Sequence, residues 1–160
     1  MMDVKILVAD DEATVRMFFK MVVNKEQLPV AALAEADNGA EAVRLARELK
    51  PDLIFLDIRM PGLDGLRAAE AILAADPGAN IVIVSAYNEF EYARTAFRAG
   101  VADYLLKPIK PADVAALVNK AAASMTRAGE PAPRQPAKTP ALVKAVVDYV
   151  EKNLDKPLQL

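Results

Sequence analysis

Residues 52–62 read DLIFLDIRMPG. Four apolar residues, Leu53 to Leu56, run straight into a carboxylate at Asp57, and the chain then turns through Met60, Pro61 and Gly62. A continuous apolar run of this length suits a strand covered on both faces, as in a parallel sheet. A charge at the edge of an apolar core costs on the order of several kcal/mol unless it is paired, metal-bound or neutralised. Asp57 therefore needs partners, and the rest of the chain has to supply them.

Four more runs resemble this one: KILVA at 5–9, VAALAEA at 30–36, IVIVS at 81–85 and DYLL at 103–106. Between them lie segments with helical spacing. Val15, Phe18, Phe19 and Val22 form one stripe; Ala42, Leu45, Ala46 and Leu49 form a second; Val114, Leu117, Val118 and Ala121 form a third. Leu66, Ala69 and Leu73 mark a further helix, as do Phe90, Ala93 and Phe97. Such stripes are the apolar faces of helices packed on a sheet. Breakers separate the elements at Asn38-Gly39, Lys50-Pro51, Pro61-Gly62, Pro77-Gly78, Gly100 and Pro108. The pattern is (βα) repeated five times. Right-handed crossovers turn it into an α/β, doubly wound parallel sheet with helices on both faces.

Composition narrows the chemistry. The chain has 160 residues, 54% apolar and 26% charged, with a formal net charge of -2. That balance gives no general electrostatic footprint for nucleic acid or an anionic membrane. With no Cys, there is no disulfide framework, thiol nucleophile or zinc thiolate site; with no His, the commonest general base and metal ligand is missing. The start, MMDVKILVADDEA, turns acidic too soon for a signal peptide. No apolar stretch approaches the ~18 residues of a membrane span. The expectation is a cytoplasmic protein without membrane contact.

In an open parallel sheet, ligands gather beyond the carboxyl ends of the strands. Asp10 and Asp11 end the first strand, Asp57 the third and Ser85 the fourth, and Lys107 follows the fifth. Three carboxylates brought together repel and raise one another's pKa. A hard divalent cation relieves this, and Mg²⁺ suits one or two carboxylates, waters and phosphate oxygens. Without His or Cys, a carboxylate is the available nucleophile, and its product is an acyl phosphate. In this scheme Asp57 attacks a phosphoryl group, Lys107 pairs with a phosphoryl oxygen, and the Ser85 hydroxyl bonds another. A cis bond between Lys107 and Pro108 is the kind of turn that would aim the lysine inward.

Four segments, VKILVADDEATVR (4–16), LIFLDIRMPGLDG (53–65), IVIVSAYNEFEYA (81–93) and GVADYLLKPI (100–109), together resemble the receiver domain of two-component response regulators. The resemblance covers residues 3 to about 126. It implies a flavodoxin-like strand order, 2-1-3-4-5, the order of chemotaxis receivers; the family supplies that order and the spacing does not. It also implies that Asp57 accepts phosphate from a sensor histidine kinase. Mg²⁺ would then be held by Asp10, Asp11, Asp57 and the backbone carbonyl of Arg59. Ser85 and Tyr104 would be the switch pair, with Ser85 standing where the family more often has Thr. On phosphorylation Ser85 moves toward the phosphoryl group and Tyr104 turns from an exposed to an inward position. The face of the fourth helix, fifth strand and fifth helix would change shape, and in the family that face often forms homodimers. Arg59 and Tyr87 follow the ends of the third and fourth strands, near the site, where they either tune the phosphoryl lifetime or are merely solvated.

The composition shifts near residue 127. TRAGEPAPRQPAKTP (126–140) is rich in Pro and Ala and reads as an extended linker, and ALVKAVVDYVEKNLDKPLQL (141–160) resumes a helical stripe at Leu142, Ala145, Val146 and Tyr149. The organisation expected is a receiver domain at 1–126, a linker at 127–140, and a C-terminal helix within 141–160. That tail is similar to the first helix of AraC-type DNA-binding domains. The similarity implies that DNA is a partner only through a domain whose recognition helices lie beyond Leu160, so that the chain is a truncated regulator.

Three other functions compete. A Mg²⁺-dependent phosphohydrolase with an aspartate nucleophile usually carries a second acid two residues later, and here that position is Arg59. A flavodoxin-like cofactor binder needs a Gly-rich phosphate loop after the first strand, where this chain has the Asp pair. A stand-alone receiver, or a phosphorelay or interaction module without DNA-binding output, is the principal alternative; the intact set Asp10, Asp11, Asp57, Ser85 and Lys107 argues against a degenerate receiver that serves only for interaction. The reading is of a phosphoacceptor rather than a turnover enzyme.

Overall fold

The computed structural model describes residues 3–86 and 90–127. The order is β1 (Val4–Ala9), α1 (Ala13–Lys25), β2 (Val30–Ala36), α2 (Gly39–Leu49), β3 (Leu53–Asp57), α3 (Gly65–Ala75), β4 (Ile81–Ser85), α4 (Phe90–Ala99), β5 (Asp103–Leu106) and α5 (Pro111–Arg127). All five strands are parallel, in the order β2-β1-β3-β4-β5. The five-fold (βα) reading and the strand order are both found. Each strand read from the sequence is present, β1 beginning one residue earlier, at Val4. The expected linker at 127–140, apart from Arg127 at the end of α5, and the helix expected within 141–160 lie outside the described residues.

Strand alternation builds two cores from one sheet. Val4, Ile6 and Val8 of β1, Leu53 and Phe55 of β3, and Val82 and Val84 of β4 pack on one face with Phe19 and Val22 of α1 and Val114 and Val118 of α5. Leu7, Ile54, Leu56, Ile81 and Ile83 pack on the other with Ala42 of α2, Ala68, Ala69 and Ile72 of α3 and Ala96 of α4. Successive side chains of a strand point to opposite faces, so a strand covered on both must be apolar throughout. That is why LIFL and IVIVS do not alternate. The ring centroids of Phe19 and Phe55 lie 4.7 Å apart, locking α1 onto β3.

The helix stripes behave as read, with local exceptions. Leu49 closes the α2 stripe in the sequence but is exposed, because the helix ends there and Lys50 takes a left-handed conformation. On α3 the buried face is broader than Leu66, Ala69 and Leu73, since Ala68 and Ile72 also point inward. Of the α4 stripe, Phe97 packs against the core; the side chains of Phe90 and Ala93 lie outside the described part.

Two features fix the chain after Asp57. Gly62 has φ +75°, which serves the Met60-Pro61-Gly62 turn. Gly65 opens α3 directly over β3, and its N–H donates to the Ile58 carbonyl at 2.7 Å. A Cβ at Gly65 would run into the Asp57 carbonyl oxygen, so only glycine permits this approach. Asp64 caps α3, accepting the Arg67 N–H at 2.9 Å.

Candidate functional site

Because β1 and β3 are neighbours and run the same way, their carboxyl ends emerge together. Asp57 is the last residue of β3, and Asp10 directly follows β1. Both share the face of the sheet that carries Ile6, Val8 and Phe55. One carboxylate oxygen from each of Asp10, Asp11 and Asp57 lies within 4.8 Å of the others. Asp10 and Asp57 are buried, at 2% and 7% exposure, while Asp11 is exposed.

Lys107 reaches this cluster from the end of β5. Its Nζ donates to Asp10 Oδ2 at 3.0 Å and lies 3.5 Å from Asp57 Oδ1. The Lys107–Pro108 peptide is cis. The Lys107 N–H donates to the Ser85 carbonyl at 2.8 Å, continuing the β4–β5 ladder beyond the strand.

One lysine does not neutralise three carboxylates. Burial pushes the Asp57 carboxyl up to about 6, and the Asp10 charge adds to that. Lys107 opposes it through its charge and hydrogen bonding, and Asp11 adds a smaller upward push. For Lys107 itself, burial favours the neutral amine, but hydrogen bonding to Asp10 and the charges of Asp10 and Asp57 outweigh it, leaving its pKa raised. The surplus negative charge and the all-oxygen donor set fit a hard divalent cation such as Mg²⁺.

Ser85 and Tyr104 fall on the other face of the sheet. Ser85 is buried, two positions after Ile83, and Ile83 pairs with Tyr104 across the β4–β5 ladder. Tyr104 is 6% exposed and belongs to the core with Ile81 and Ile83. Tyr104 is therefore buried here, not in the exposed position expected of it before switching. Its N–H donates to Asp103 Oδ1 at 2.7 Å. Arg59 is exposed, two residues beyond Asp57. Tyr87 lies outside the described residues.

Two residues at this end of the sheet escaped the sequence reading. Arg16 donates from a guanidinium N–H to the Asp10 carbonyl at 2.6 Å and from Nε to Glu35 Oε1 at 3.3 Å. Glu35, near the end of β2, also pairs with Lys20 at 2.7 Å. The signal available was an arginine one turn into the helix after an Asp pair, with an acid at the end of the neighbouring strand. Arg16 breaks no apolar pattern, and Glu35, though it interrupts the run VAALAEA, reads as an ordinary solvent-facing acid on a strand.

Comparison with known proteins fixes the class. The family description "Response regulator receiver domain" matches residues 6–119, and the chain belongs to that family. Members of this family are signalling proteins whose acidic pocket binds Mg²⁺ and which histidine kinases phosphorylate. The chain is 39% identical over 116 residues to the chemotaxis protein CheY of Thermotoga maritima, which covers 72% of this chain and 95% of that protein. It is 32% identical over 123 residues to the uncharacterized transcriptional regulatory protein YesN of Bacillus subtilis, covering 77% of this chain but only 33% of YesN. Among solved structures, the REC domain of the response regulator AraT from Geobacillus stearothermophilus aligns with a TM-score of 0.70 and 34% identity, over 79% of this chain and 98% of that one. Among the described residues no helix is long and apolar enough to cross a membrane.

Proposed function

We propose that Asp57 is the phosphoacceptor of a cytoplasmic response regulator and that a sensor histidine kinase is its donor. The observation that carries this reading is the placement of Lys107 Nζ against both Asp10 and Asp57, 3.0 and 3.5 Å away, beside a third carboxylate. In the transfer, an Asp57 oxygen forms the new O–P bond as the N–P bond of a phosphohistidine breaks and the imidazole leaves with its electron pair. Asp10, Asp11, Asp57 and the Arg59 backbone carbonyl would hold Mg²⁺. When bound, Mg²⁺ supplies charge neutralisation for the transferring oxygens. Lys107 offers its ammonium to a second phosphoryl oxygen, and Ser85 its hydroxyl to a third.

The added phosphoryl group carries roughly 1.5 to 2 negative charges. It draws Ser85 toward the site, and Tyr104, already buried on the same face one strand over, packs further into the space that Ser85 leaves. The α4-β5-α5 face then changes shape and forms the homodimer contact. Leu106, 45% exposed on the edge strand β5, supplies apolar surface there.

For the output we favour a C-terminal AraC-type DNA-binding domain, to which residues 141–160 are similar. The longer relatives named as transcriptional regulators support it, since this chain matches only part of each. A stand-alone receiver is the second reading, favoured by the chemotaxis proteins matched over almost their whole length. The coding sequence beyond Leu160 separates them: two helix-turn-helix units support the first, and an immediate stop codon supports the second.

The phosphoacceptor reading is tested with acetyl phosphate and Mg²⁺. Intact-mass spectrometry should find one added phosphoryl group, absent from Asp57→Asn. Equal labelling of that variant, or none of the wild type, would refute it.

A further inference from the structure

We infer that Arg16 is a positioning residue for the acid pocket, holding the Asp10–Asp11 backbone in its cation-binding shape. The inference rests on the Mg²⁺ reading above.

Asp10 is held by three donors from three places. Its Oδ1 accepts the Glu12 N–H at 2.9 Å, its Oδ2 accepts Lys107 Nζ at 3.0 Å, and its carbonyl accepts Arg16 at 2.6 Å. The first two orient the carboxylate. The third fixes the peptide between Asp10 and Asp11, on which the direction of both side chains depends. Asp10 N–H also donates to the Ala36 carbonyl at 3.0 Å, tying the same peptide run to β2.

Arg16 can do this because its own position is set at the other end. Glu35 pairs with its Nε, and Lys20 pairs with the second Glu35 oxygen at 2.7 Å. The Arg16 side chain is mostly covered, at 18% exposure, so its bonds are less open to competition from water than those of a surface pair. The result is a strut running from the edge strand β2 through α1 to the end of β1. A planar fork can bond a carbonyl and a carboxylate at once, which a lysine ammonium on a flexible stem does poorly.

The sign of the effect separates this role from simple charge. Arg16 is a cation beside a cation site, so removing it on Coulombic grounds alone would tighten Mg²⁺ binding. As a positioning residue its removal must weaken binding. Groups that orient metal ligands typically contribute about 10- to 100-fold in affinity.

The experiment measures Mg²⁺ affinity by titration calorimetry for wild type, Arg16→Lys and Arg16→Gln. It adds the Asp10 carbonyl ¹³C shift and the melting temperature of each metal-free protein. Both variants should bind Mg²⁺ about 10-fold more weakly, with the Asp10 carbonyl shift displaced before any metal is added. Arg16→Lys keeps the charge and tests the fork if Arg16→Gln fails to fold. Tighter binding by Arg16→Gln, or wild-type affinity in Arg16→Lys, overturns the inference. Absence of Mg²⁺ binding in the wild type would instead overturn the pocket reading on which it stands.

Discussion

Two of the charge clusters on this molecule, one on α2 and one at the carboxyl ends of the strands, behave oppositely. On α2, Arg44 is flanked by Glu41 and Glu48, bonding the first at i,i+3 and the second at 2.9 Å at i,i+4. All three lie in water. Hydrogen bonding to Arg44 holds the Glu41 carboxyl below its usual range. At the carboxyl ends of β1 and β3, three acids share one lysine, and burial drives Asp57 the other way, up to about 6. Both clusters set several carboxylates around one cation. What differs is burial and balance: α2 has one carboxylate in excess and holds it in water, while the sheet end has two in excess and buries two of its three acids. A fold tolerates such a surplus where binding or chemistry relieves it.

The contrast between the two clusters is widest at Asp57. Asp57→Asn should abolish phosphoryl labelling altogether, whereas Glu41→Gln should leave its rate unchanged; intact-mass kinetics checks both. Next in size is Lys107→Met. Losing the ammonium that lies against Asp10 and Asp57 should slow labelling by acetyl phosphate about 100-fold at saturating Mg²⁺. The same variant should melt lower when metal-free, because it leaves two buried carboxylates without a cation.

Gly65→Ala tests the backbone beneath the site. The added methyl meets the Asp57 carbonyl, so the variant should lose about 1–3 kcal/mol in urea denaturation and label more slowly. A pH series addresses the electrostatic half. The Asp57 pKa is about 6 in the folded chain against an ordinary value of 3.8. Between these the folded state binds more protons than the unfolded one, so metal-free stability should fall as pH rises from about 4 to about 6. Asp57→Asn should remove this part of the slope. Asp103, raised chiefly by burial, contributes with the same sign and remains. Smallest of all, Arg44→Ala should not move the melting temperature measurably, since exposed pairs contribute little.

Much of this was legible in the chain. Continuous apolar runs, helix stripes and breakers are local signals, and they placed all five strands and five helices. The acids at 10, 11 and 57, Ser85 and Lys107 were legible because each interrupts or ends such a run. Leu49 reads as a buried stripe member because periodicity does not say where a helix leaves the core. Arg16 and Glu35 were missed because a charged residue on an amphipathic helix or an edge strand looks the same whether it is solvated or bonded.

The order of elements, the two-faced burial of the strands and the acid that ends β3 were determined by the sequence alone, because backbone propensity and apolar periodicity act over a few residues. Tertiary structure decided that Lys107 and Asp10, 97 positions apart, meet at 3.0 Å, and that Arg16 grips the Asp10 carbonyl. Those contacts come from the placement of β1 between β2 and β3 and from the packing of α1 and α5 on one face. No local period encodes either. They follow from burying both faces of a single sheet at once.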